Sequence, residues 1–332
     1  MKALVTGGAG YVGSHMVKTL LDAGHQVVVV DDLSTGHHDS VPPDRVAFVE
    51  GDVADAHAMS NVLRAHHVEA VFHFAAKIRV EQSVSEPRLY WRGNVIATLG
   101  LLDAVIDAGN IQAFVQSSTA AVYGTPETTP ITEDAALRPI NPYGETKRTF
   151  EGALRWYGGA YGLRAVSLRY FNVAGATETL GEDHDPETHL IPNVLAAAAG
   201  ERDLTVFGDD YPTPDGTCIR DYIHVADLAA AHLLAIEATT PGDPRTDDYL
   251  ACNLGIGGGF SVREVIAAAE RAVGRPIPFT MGIRRAGDPP ILVASAARAG
   301  EVLGWRPRYT SLDDMVGSAW AWRQQHPGGY PD

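Results

Sequence analysis

The stretch KALVTGGAGYVG, residues 2–13, joins a short apolar strand directly to a helix through a glycine-rich turn. Gly7, Gly10 and Gly13 form the pattern G-x-x-G-x-x-G, and Gly8 also completes G-x-G-x-x-G. Glycine permits a tight turn and lets the backbone approach a pyrophosphate at the helix N-terminus, where free N–H groups favour an anion. Because a glycine pattern alone also occurs in ordinary turns, the prediction of a nucleotide site needs support from the next two strands.

An acidic residue at the end of the next strand completes the pattern. The run VVVVDD reaches Asp31, 21 residues after Gly10, where a carboxylate is expected to bind the adenosine ribose hydroxyls. A carboxylate there disfavours a 2′-phosphate, which favours NAD over NADP. The segment GDV, with Asp52 and Val53, ends the third strand and supplies an edge for the adenine. Asp52 alone would more often be a turn residue, but together these features predict an NAD site.

Strand-like and helix-like segments alternate through the first half of the chain. Buried, β-branched runs such as QVVVVD are followed by helical segments, which is the pattern of a parallel sheet with helices on both faces. After Gly175 this rhythm breaks into polar loops rich in Pro and Gly. The predicted fold is therefore α/β, a Rossmann-type doubly wound parallel sheet with a smaller mixed α/β domain. We expect the first domain to span 1–175, with a returning segment near 221–240, and the second to span 176–332. The segment TTPGDPRTDD, residues 239–248, is predicted to be a surface insertion.

The composition narrows the functional classes. The 332 residues carry a formal net charge of −15, which argues against a nucleic-acid surface, because binding a phosphate backbone needs a basic footprint. The two cysteines, Cys218 and Cys252, provide neither a disulfide framework nor a C-x-x-C zinc motif. No apolar run approaches the ~18 residues of a membrane span, and the start MKALVTGGAG is too short and glycine-rich for a signal peptide. We therefore expect a cytoplasmic protein with no nucleic-acid or membrane partner.

The segment NPYGETK places Tyr143 and Lys147 one turn apart on a predicted helix, with Asn141 as its N-cap and Pro142 at its first position. A free phenol has a pKa of about 10 and is a poor base at neutral pH. A fixed ammonium one turn away, together with an oxidised nicotinamide ring, favours the phenolate. Two polar residues at this spacing also occur on ordinary surface helices, so the pair gains meaning only beside a cofactor and a third polar group.

These motifs resemble those of the short-chain dehydrogenases/reductases. TGGAGYVG, GDV, FHFAA, SSTAAVYG and NPYGETK occur in that family's order and approximate spacing. The resemblance implies a catalytic triad of Thr119, Tyr143 and Lys147, in which Tyr143 exchanges a proton with a sugar hydroxyl and Thr119 hydrogen-bonds the same oxygen. Nucleotide-sugar dehydratases of this superfamily carry an acidic pair after the threonine. This chain has Ala120 and Ala121 there, which favours redox chemistry without elimination of water.

The second half of the chain is similar to the UDP-glucose 4-epimerase family. YFNVAGA, FGDDYPTPDGTCIRDYIHVADLA, NLG, RRAGDPP and HPGGYPD carry this resemblance, which covers essentially the whole chain. It implies an NAD that stays bound while UDP-glucose and UDP-galactose interconvert by oxidation at carbon 4, rotation of the 4-keto sugar and hydride return. It also implies a homodimer formed through two long helices, and it makes residues 176–332 mainly a UDP-sugar-binding domain. Two alternatives stay open: 4-epimerisation of another UDP-sugar, an N-acetylhexosamine or a pentose, and a non-catalytic NAD-binding regulator.

The resemblance also implies two sets of contact residues. The positions implied for NAD are Gly7, Gly10, Tyr11, Val12, Gly13, Asp31, Asp32, Leu33, Asp52, Val53, Phe74, Ala75, Ala76, Lys77, Asn94, Tyr143, Lys147 and Phe171. The positions implied for the UDP-sugar are Thr119, Asn172, His189, Leu190, Phe207, Arg220, Tyr222, Val262, Arg285, Asp288 and Leu292. Arg220 and Arg285 would supply charge-assisted hydrogen bonds to the diphosphate, Phe207 a face for uracil, and Asp288 a partner for a ribose hydroxyl.

Three positions depart from the family pattern. The lysine that some epimerases present to NAD aligns with Ile78, and Lys77 precedes it by one residue. An asparagine familiar in the UDP loop is His189 here. The residue that caps the sugar pocket, tyrosine in some epimerases and small in those that accept N-acetylated sugars, aligns with Leu292. Leucine is intermediate in bulk, so the sequence leaves acceptance of UDP-N-acetylglucosamine open.

The run GEDHDPETH brings together side chains that can bind metals. Its ionisable members are Glu182, Asp183, His184, Asp185, Glu187 and His189. Such a run in a polar loop is usually solvated, and the chemistry implied by the resemblance needs no metal. We therefore expect no metal site.

Overall fold

The computed structural model describes residues 1–239, 249–285 and 288–331, and the chain forms fourteen strands and eleven α-helices within these ranges. The strands are β1 (Lys2–Thr6), β2 (Gln26–Asp31), β3 (Val46–Glu50), β4 (Ala70–His73), β5 (Ala113–Thr119), β6 (Arg164–Tyr170), β7 (Asn172–Ala174), β8 (Thr205–Phe207), β9 (Ile219–Arg220), β10 (Tyr222–His224), β11 (Tyr249–Leu254), β12 (Phe260–Ser261), β13 (Thr280–Gly282) and β14 (Ile291–Leu292). The helices are α1 (Tyr11–Asp22), α2 (Ala56–Ala65), α3 (Val80–Ser85), α4 (Pro87–Trp91), α5 (Ala97–Ala108), α6 (Pro142–Tyr161), α7 (Leu190–Ala199), α8 (Val225–Ala238), α9 (Val262–Val273), α10 (Ala297–Val302) and α11 (Leu312–Gln325).

Seven parallel strands form the central sheet in the order β11–β6–β5–β4–β1–β2–β3. Helices α1 and α8 cover one face, and α2, α5 and α6 cover the other. Because both faces are buried, the inner strands are apolar without alternation, as in Val27 to Val30, which are all at most 4% exposed. The predicted Rossmann-type doubly wound sheet is confirmed.

The second lobe consists of small sheets and three helices. Strands β12, β9 and β14 form one sheet, β13 pairs with β8, and β10 pairs with β7. Helices α7, α9 and α11 pack around a separate apolar core that includes Val194, Val265 and Met315. Helix α9 begins with a capping box formed by Ser261 and Glu264.

Two predicted elements differ in detail. The helix predicted over residues 87–108 is interrupted by a π-helical stretch at Arg92–Ile96, between α4 and α5. This stretch contains Asn94, whose side-chain amide hydrogen-bonds with the backbone of Lys77. Single π-helical turns inside α-helices are frequent at functional sites.

The seventh strand, β11, was absent from the sequence prediction. It pairs with β6 in parallel, from Tyr249 opposite Ala165 to Leu254 opposite Tyr170. Its own sequence does not indicate which distant strand it pairs with. The division at residue 175 stays a prediction; both α8 and β11, from beyond that point, pack with the central sheet. The predicted insertion at 239–248 lies outside the described residues apart from Thr239, which is buried.

Candidate active site

One cleft of about 1460 Å³ runs along the carboxyl ends of the central strands and continues between the two lobes. The loops after β1 to β6 line one part, and residues from 182 to 292 line the other. Ligands of open α/β sheets bind at this edge, because the strand order reverses there and leaves a crevice. Most of the predicted contact residues line this cleft.

The glycine turn after β1 is shaped by backbone contacts. Gly7 has a φ of +69°, and a Cβ added there would lie 2.6 Å from the backbone nitrogen of Ala75. A Cβ on Gly13 would lie 2.0 Å from the carbonyl oxygen of Gly7. The N–H of Gly7 donates to the carbonyl of Val30 at 2.8 Å, which ties the turn to the second strand. Any side chain at Gly7 or Gly13 would therefore displace the backbone that approaches a bound phosphate.

Asp31 lies at the end of β2 and braces the turn. Its carboxylate accepts from the backbone N–H of Ala9 and of Leu33, both at 2.9 Å. Burial raises the pKa of Asp31, and these two hydrogen bonds oppose the rise. Leu33, with a φ of +53°, lies in the tight turn after this strand. Asp31 lines the cleft, whereas Leu33 does not. The carboxylate thus holds the loop as well as facing the predicted ribose position.

Tyr143 and Thr119 meet at the floor of the cleft. The side chain of Asn141 caps α6 by accepting from the N–H of Gly144 at 2.8 Å, which places Tyr143 in the first turn. Thr119 ends β5, and its side chain hydrogen-bonds with that of Tyr143. Burial raises the pKa of Tyr143 to about 12, and the hydrogen bond with Thr119 opposes the rise. Without a positive charge nearby, this phenol would stay protonated at neutral pH.

Lys147 lies one turn further along α6 and is buried. Its Nζ donates to the carbonyl oxygen of Ser117 at 2.9 Å, at the end of β5. Burial lowers the pKa of Lys147 to about 8, and the carboxylate of Glu151 opposes this change. Lys147 does not line the cleft, whereas Tyr143 does.

A buried polar network holds α6 to the sheet. Glu151 accepts from Ser118 at 2.6 Å and binds Arg169 through two hydrogen bonds of 2.9 and 2.6 Å. Arg169 also donates to the hydroxyl of Tyr123, which donates to Asn253 in β11 at 2.7 Å. Sequence reasoning missed this network. The available signal was a glutamate four residues after Lys147, which puts both on one face of α6.

Asn94 positions the backbone of Lys77, which lines the cleft. It is buried and does not line the cleft, but its amide pins the backbone of Lys77 from both sides. It accepts from the N–H of Lys77 at 2.8 Å and donates to its carbonyl at 2.9 Å. Lys77 does line the cleft, and its Nζ lies 3.4 Å from the hydroxyl of Ser34 in the loop after β2. Ile78, the aligned position, also lines the cleft.

The second part of the cleft is lined by side chains that pair with one another. Arg220 forms an ion pair with Asp288, and the hydroxyl of Tyr211 donates to the same carboxylate at 3.3 Å. The guanidinium of Arg285 lies over the ring of Phe207, 4.3 Å from its centroid. All eleven residues predicted for the UDP-sugar line the cleft. This part therefore combines two cations with an aromatic face and a carboxylate.

Asp221, which the sequence prediction did not include, holds backbone segments next to this second part of the cleft. It is fully buried and accepts from the N–H groups of Ile256, Gly257 and Ala294 at 2.9 to 3.0 Å. Its backbone carbonyl accepts from the side chain of Asn172 at 3.0 Å. Asp221 thereby fixes three chain segments that carry predicted substrate contacts.

The loop before α7 differs from the sequence expectation of a solvated run. Four side chains, Glu182, His184, Glu187 and His189, converge so that their ligand atoms all lie within 4.8 Å of one another; we call these four the Glu/His cluster. All four line the cleft. Asp183 turns away and accepts from the N–H of Tyr330 at 2.8 Å.

No helix in the described ranges is long and apolar enough to cross a membrane.

Comparison with known proteins agrees with this geometry. Residues 3–252 match the family described as the NAD dependent epimerase/dehydratase family. The UDP-glucose 4-epimerase of Lactobacillus helveticus is 48% identical over 335 residues, which cover 100% of both chains. The crystal structure of UDP-glucose 4-epimerase from Brucella ovis in complex with NAD matches with a TM-score of 0.92 and 49% identity, over 96% of this chain and 97% of that one. The Bifidobacterium longum enzyme in complex with NAD+ and UDP matches with a TM-score of 0.93 and 38% identity, over 99% and 100%.

Proposed function

The chain belongs to the NAD dependent epimerase/dehydratase family, and from this premise we propose that it interconverts UDP-glucose and UDP-galactose by epimerisation at carbon 4. The observation that carries the proposal is the position of Tyr143 and Thr119. They line the same cleft as the glycine turn, which suits a dinucleotide, and as Arg220 and Arg285. A sugar attached to a UDP held in that second part reaches Tyr143.

The residues of the first part fit NAD. Gly7, Gly10 and Gly13 leave room for the pyrophosphate at the start of α1, and Asp31 faces the ribose position. Lys77 adds a cation near the loop after β2, within 3.4 Å of the Ser34 hydroxyl. When bound, NAD supplies the hydride acceptor and donor for the exchange at carbon 4 and a positive ring that favours the Tyr143 phenolate.

The chain's own residues then handle the proton. Tyr143 accepts the proton of the 4-hydroxyl and later returns it, and Thr119 hydrogen-bonds the same oxygen. Lys147 follows Tyr143 by one turn of α6, and its Nζ is held by the carbonyl of Ser117. Its ammonium, together with the positive ring of NAD, is expected to favour the Tyr143 phenolate. At the position where a dehydratase needs an acid, Ala120 and Ala121 offer none, so water is not eliminated.

The second part of the cleft holds the nucleotide while the sugar turns. We propose that Arg220 and Arg285 bind the diphosphate, that Phe207 stacks on uracil and that Asp288 bonds a ribose hydroxyl. A chain of net charge −15 attracts this anion only locally, which gives the two arginines their importance. With the diphosphate fixed, either face of carbon 4 can be presented to Tyr143.

The test is direct. Purified protein with no added NAD should convert UDP-galactose to UDP-glucose, measured by chromatography, and denaturation should release NAD. Absence of conversion in a preparation that contains NAD would contradict the proposal and would favour a non-catalytic NAD-binding regulator.

Leu292 supports a second candidate, epimerisation of another UDP-sugar. It lines the cleft and packs in the same cluster as Phe171 and Ala120, next to the proposed sugar position. Rates on a panel that includes UDP-N-acetylglucosamine and UDP-pentoses decide between the two. If Leu292 caps the pocket, Leu292→Cys widens acceptance of N-acetylated sugars; an unchanged panel would assign the cap to another residue.

We also propose that the protein is a cytoplasmic homodimer that acts in galactose metabolism. The dimer is supported by apolar side chains that are exposed along the two long helices: Ile96 just before α5 at 65%, and Trp156 and Tyr161 on α6 at 79% and 62%. Light scattering should give twice the chain mass, and Trp156→Glu should give the monomer.

A further inference from the structure

Three members of the Glu/His cluster, Glu182, His184 and Glu187, have no role in the proposed epimerisation, whereas the fourth, His189, is also a predicted UDP-sugar contact. Its members follow the spacing Glu-x-His-x-x-Glu-x-His along the loop between β7 and α7. Their side chains are 8% exposed for Glu182, 13% for Glu187, 17% for His184 and 39% for His189. Two carboxylates at this depth need positive partners, since burying an unpaired charge is costly. Among the described residues, both carboxylates form their ion pairs with the two histidines.

The four side chains form a set of donors around one point. The Nδ1 atom of His189 lies 2.7 Å from Glu182 and 2.9 Å from Glu187. The Nδ1 atom of His184 lies 3.2 Å from Glu182 and 3.9 Å from Glu187. A tetrahedral ion with ligand distances of about 2.0 to 2.2 Å separates its ligand atoms by about 3.3 to 3.6 Å. These four histidine–carboxylate separations lie on both sides of that range, and all ligand atoms of the cluster lie within 4.8 Å of one another, so small side-chain movements would admit an ion.

The chemistry of the donors selects the kind of ion. Imidazole nitrogen favours zinc and other late transition metals over magnesium and calcium, which prefer oxygen ligands. Once both imidazoles have released their protons, as metal binding requires, the four side chains carry a charge of −2, which a divalent ion neutralises. Four protein ligands also satisfy the coordination of a structural zinc site.

The surroundings of the loop indicate what an ion would do. The Tyr11 hydroxyl, at the start of α1, donates to the carbonyl of Gly175 at 2.5 Å, and Asp183 is bonded through its backbone to His37 and through its side chain to Tyr330. The loop thus crosses between the glycine-turn part and the C-terminal segment, and it leads directly into α7, which starts with the cleft residue Leu190.

From these observations we propose that the Glu/His cluster binds one divalent transition-metal ion, zinc foremost, and that this ion fastens the loop between β7 and α7. The readouts of this proposal, metal content and thermal stability, do not depend on the epimerase activity.

The experiment uses the full chain without a histidine tag, stripped with a chelator and dialysed against ZnCl2. Elemental analysis should give one zinc per chain, and the Tm should rise by roughly 3 to 6 °C at a hundredfold excess of free zinc over the dissociation constant. Co2+ in place of zinc should show the visible absorption of a tetrahedral site.

Variants identify the site. His184→Ala and Glu187→Gln should each weaken zinc binding by at least about tenfold. The exposed controls His57→Ala, on α2, and Glu178→Gln, in the same loop, should bind as the wild type does. Less than one equivalent of zinc in the wild type, retention of full binding in both cluster variants, or a Co2+ spectrum without tetrahedral absorption would overturn the proposal. Because the wild-type stoichiometry and spectrum need no variant, a folding failure in either substitution leaves the test decisive.

Discussion

The two parts of the cleft are built in different ways. Around the glycine turn, the shape is set by backbone: Gly13 cannot carry a Cβ without meeting the carbonyl of Gly7 at 2.0 Å. In the other part, the shape is set by paired side chains such as Arg220 with Asp288 and Arg285 with Phe207. We therefore expect the backbone part to be disrupted by substitutions that add atoms, and the side-chain part by substitutions that remove them. Tyr143 lines the cleft that the two parts form, and its proposed chemistry needs the ligands of both.

The largest effect on activity is expected from substitution of Tyr143. Tyr143→Phe should lower the rate of UDP-galactose conversion by about 10² to 10⁴-fold, because the proton acceptor is lost. Bound NAD, measured after denaturation, should not change. Tyr157→Phe is the matched control, since Tyr157 lies on the same helix with its hydroxyl on Asp103 at the surface. A Tyr143→Phe enzyme with the wild-type rate would remove Tyr143 from the mechanism.

The backbone part is tested by adding one carbon. Gly13→Ala should lower the NAD content by at least about tenfold, because the new Cβ overlaps backbone that has nowhere to move. UDP binding, followed by calorimetry, should persist. Gly152→Ala on α6 is the control, because a Cβ there meets nothing within 4 Å. Full NAD content in Gly13→Ala would show that the turn is more adaptable than its contacts indicate.

The side-chain part is tested by removing a charge. Arg285→Met should raise the KM for UDP-galactose by about tenfold. This is the lower end of the range expected for losing a charge-assisted hydrogen bond, because the Arg285 side chain is half exposed and its charge is partly screened by water. NAD content should be unaffected. The neighbouring Arg284→Met is the control, because Arg284 stacks on Tyr211 outside the cleft. Equal effects of the two substitutions would mean that general charge, not a specific contact, attracts the substrate.

Acid should destabilise the central sheet that carries the backbone part, and we expect this to be the smallest of the effects. Burial lowers the pKa of His15 and of His232 to about 4 and that of His73 to about 3, and all three surround the central sheet. Below pH 6.5 the unfolded chain binds protons that the folded chain excludes, so the free energy of unfolding falls as the pH drops toward 4.

One of these histidines offers a clean measurement. His232, in α8, is fully buried and its ring contacts that of Phe74. Its lowered pKa corresponds to a loss of about 2 kcal/mol in the free energy of unfolding between pH 7 and pH 5. Between those pH values the Tm of wild type should fall a few degrees more than that of His232→Leu. The exposed His57→Ala should behave as the wild type. Parallel pH curves for His232→Leu and wild type would contradict the assignment.

The features that local sequence determines were predicted well. Strand β2 spans the predicted QVVVVD, and α6 begins after Asn141 as its cap indicates. Hydrophobic runs, glycine patterns and caps act over a few residues, so they can be recognised without a structure.

The features that sequence reasoning missed depend on distant partners. The network from Ser118 through Glu151 to Arg169 joins a strand end, a helix and a second strand. The Glu/His cluster depends on how one loop folds against α1, which composition does not reveal. The substrate contacts between 172 and 292 were predicted through family resemblance alone, because nothing local to Arg220 or Asp288 predicts their pairing.

Strand β11 has a consequence for synthesis of the chain. Until residues 249–254 emerge, the outer edge of β6 presents unpaired backbone groups, which is a surface prone to join other strands. Translation at about 5 to 20 residues per second takes roughly 4 to 17 s to extend from the end of β6 to the end of β11. During that interval a nascent chain holds the predicted NAD-binding segment, residues 1–175, beside an open sheet edge. A fragment that stops before residue 249 would keep that edge permanently, so we expect it to aggregate even though it contains all three residues of the predicted triad, Thr119, Tyr143 and Lys147.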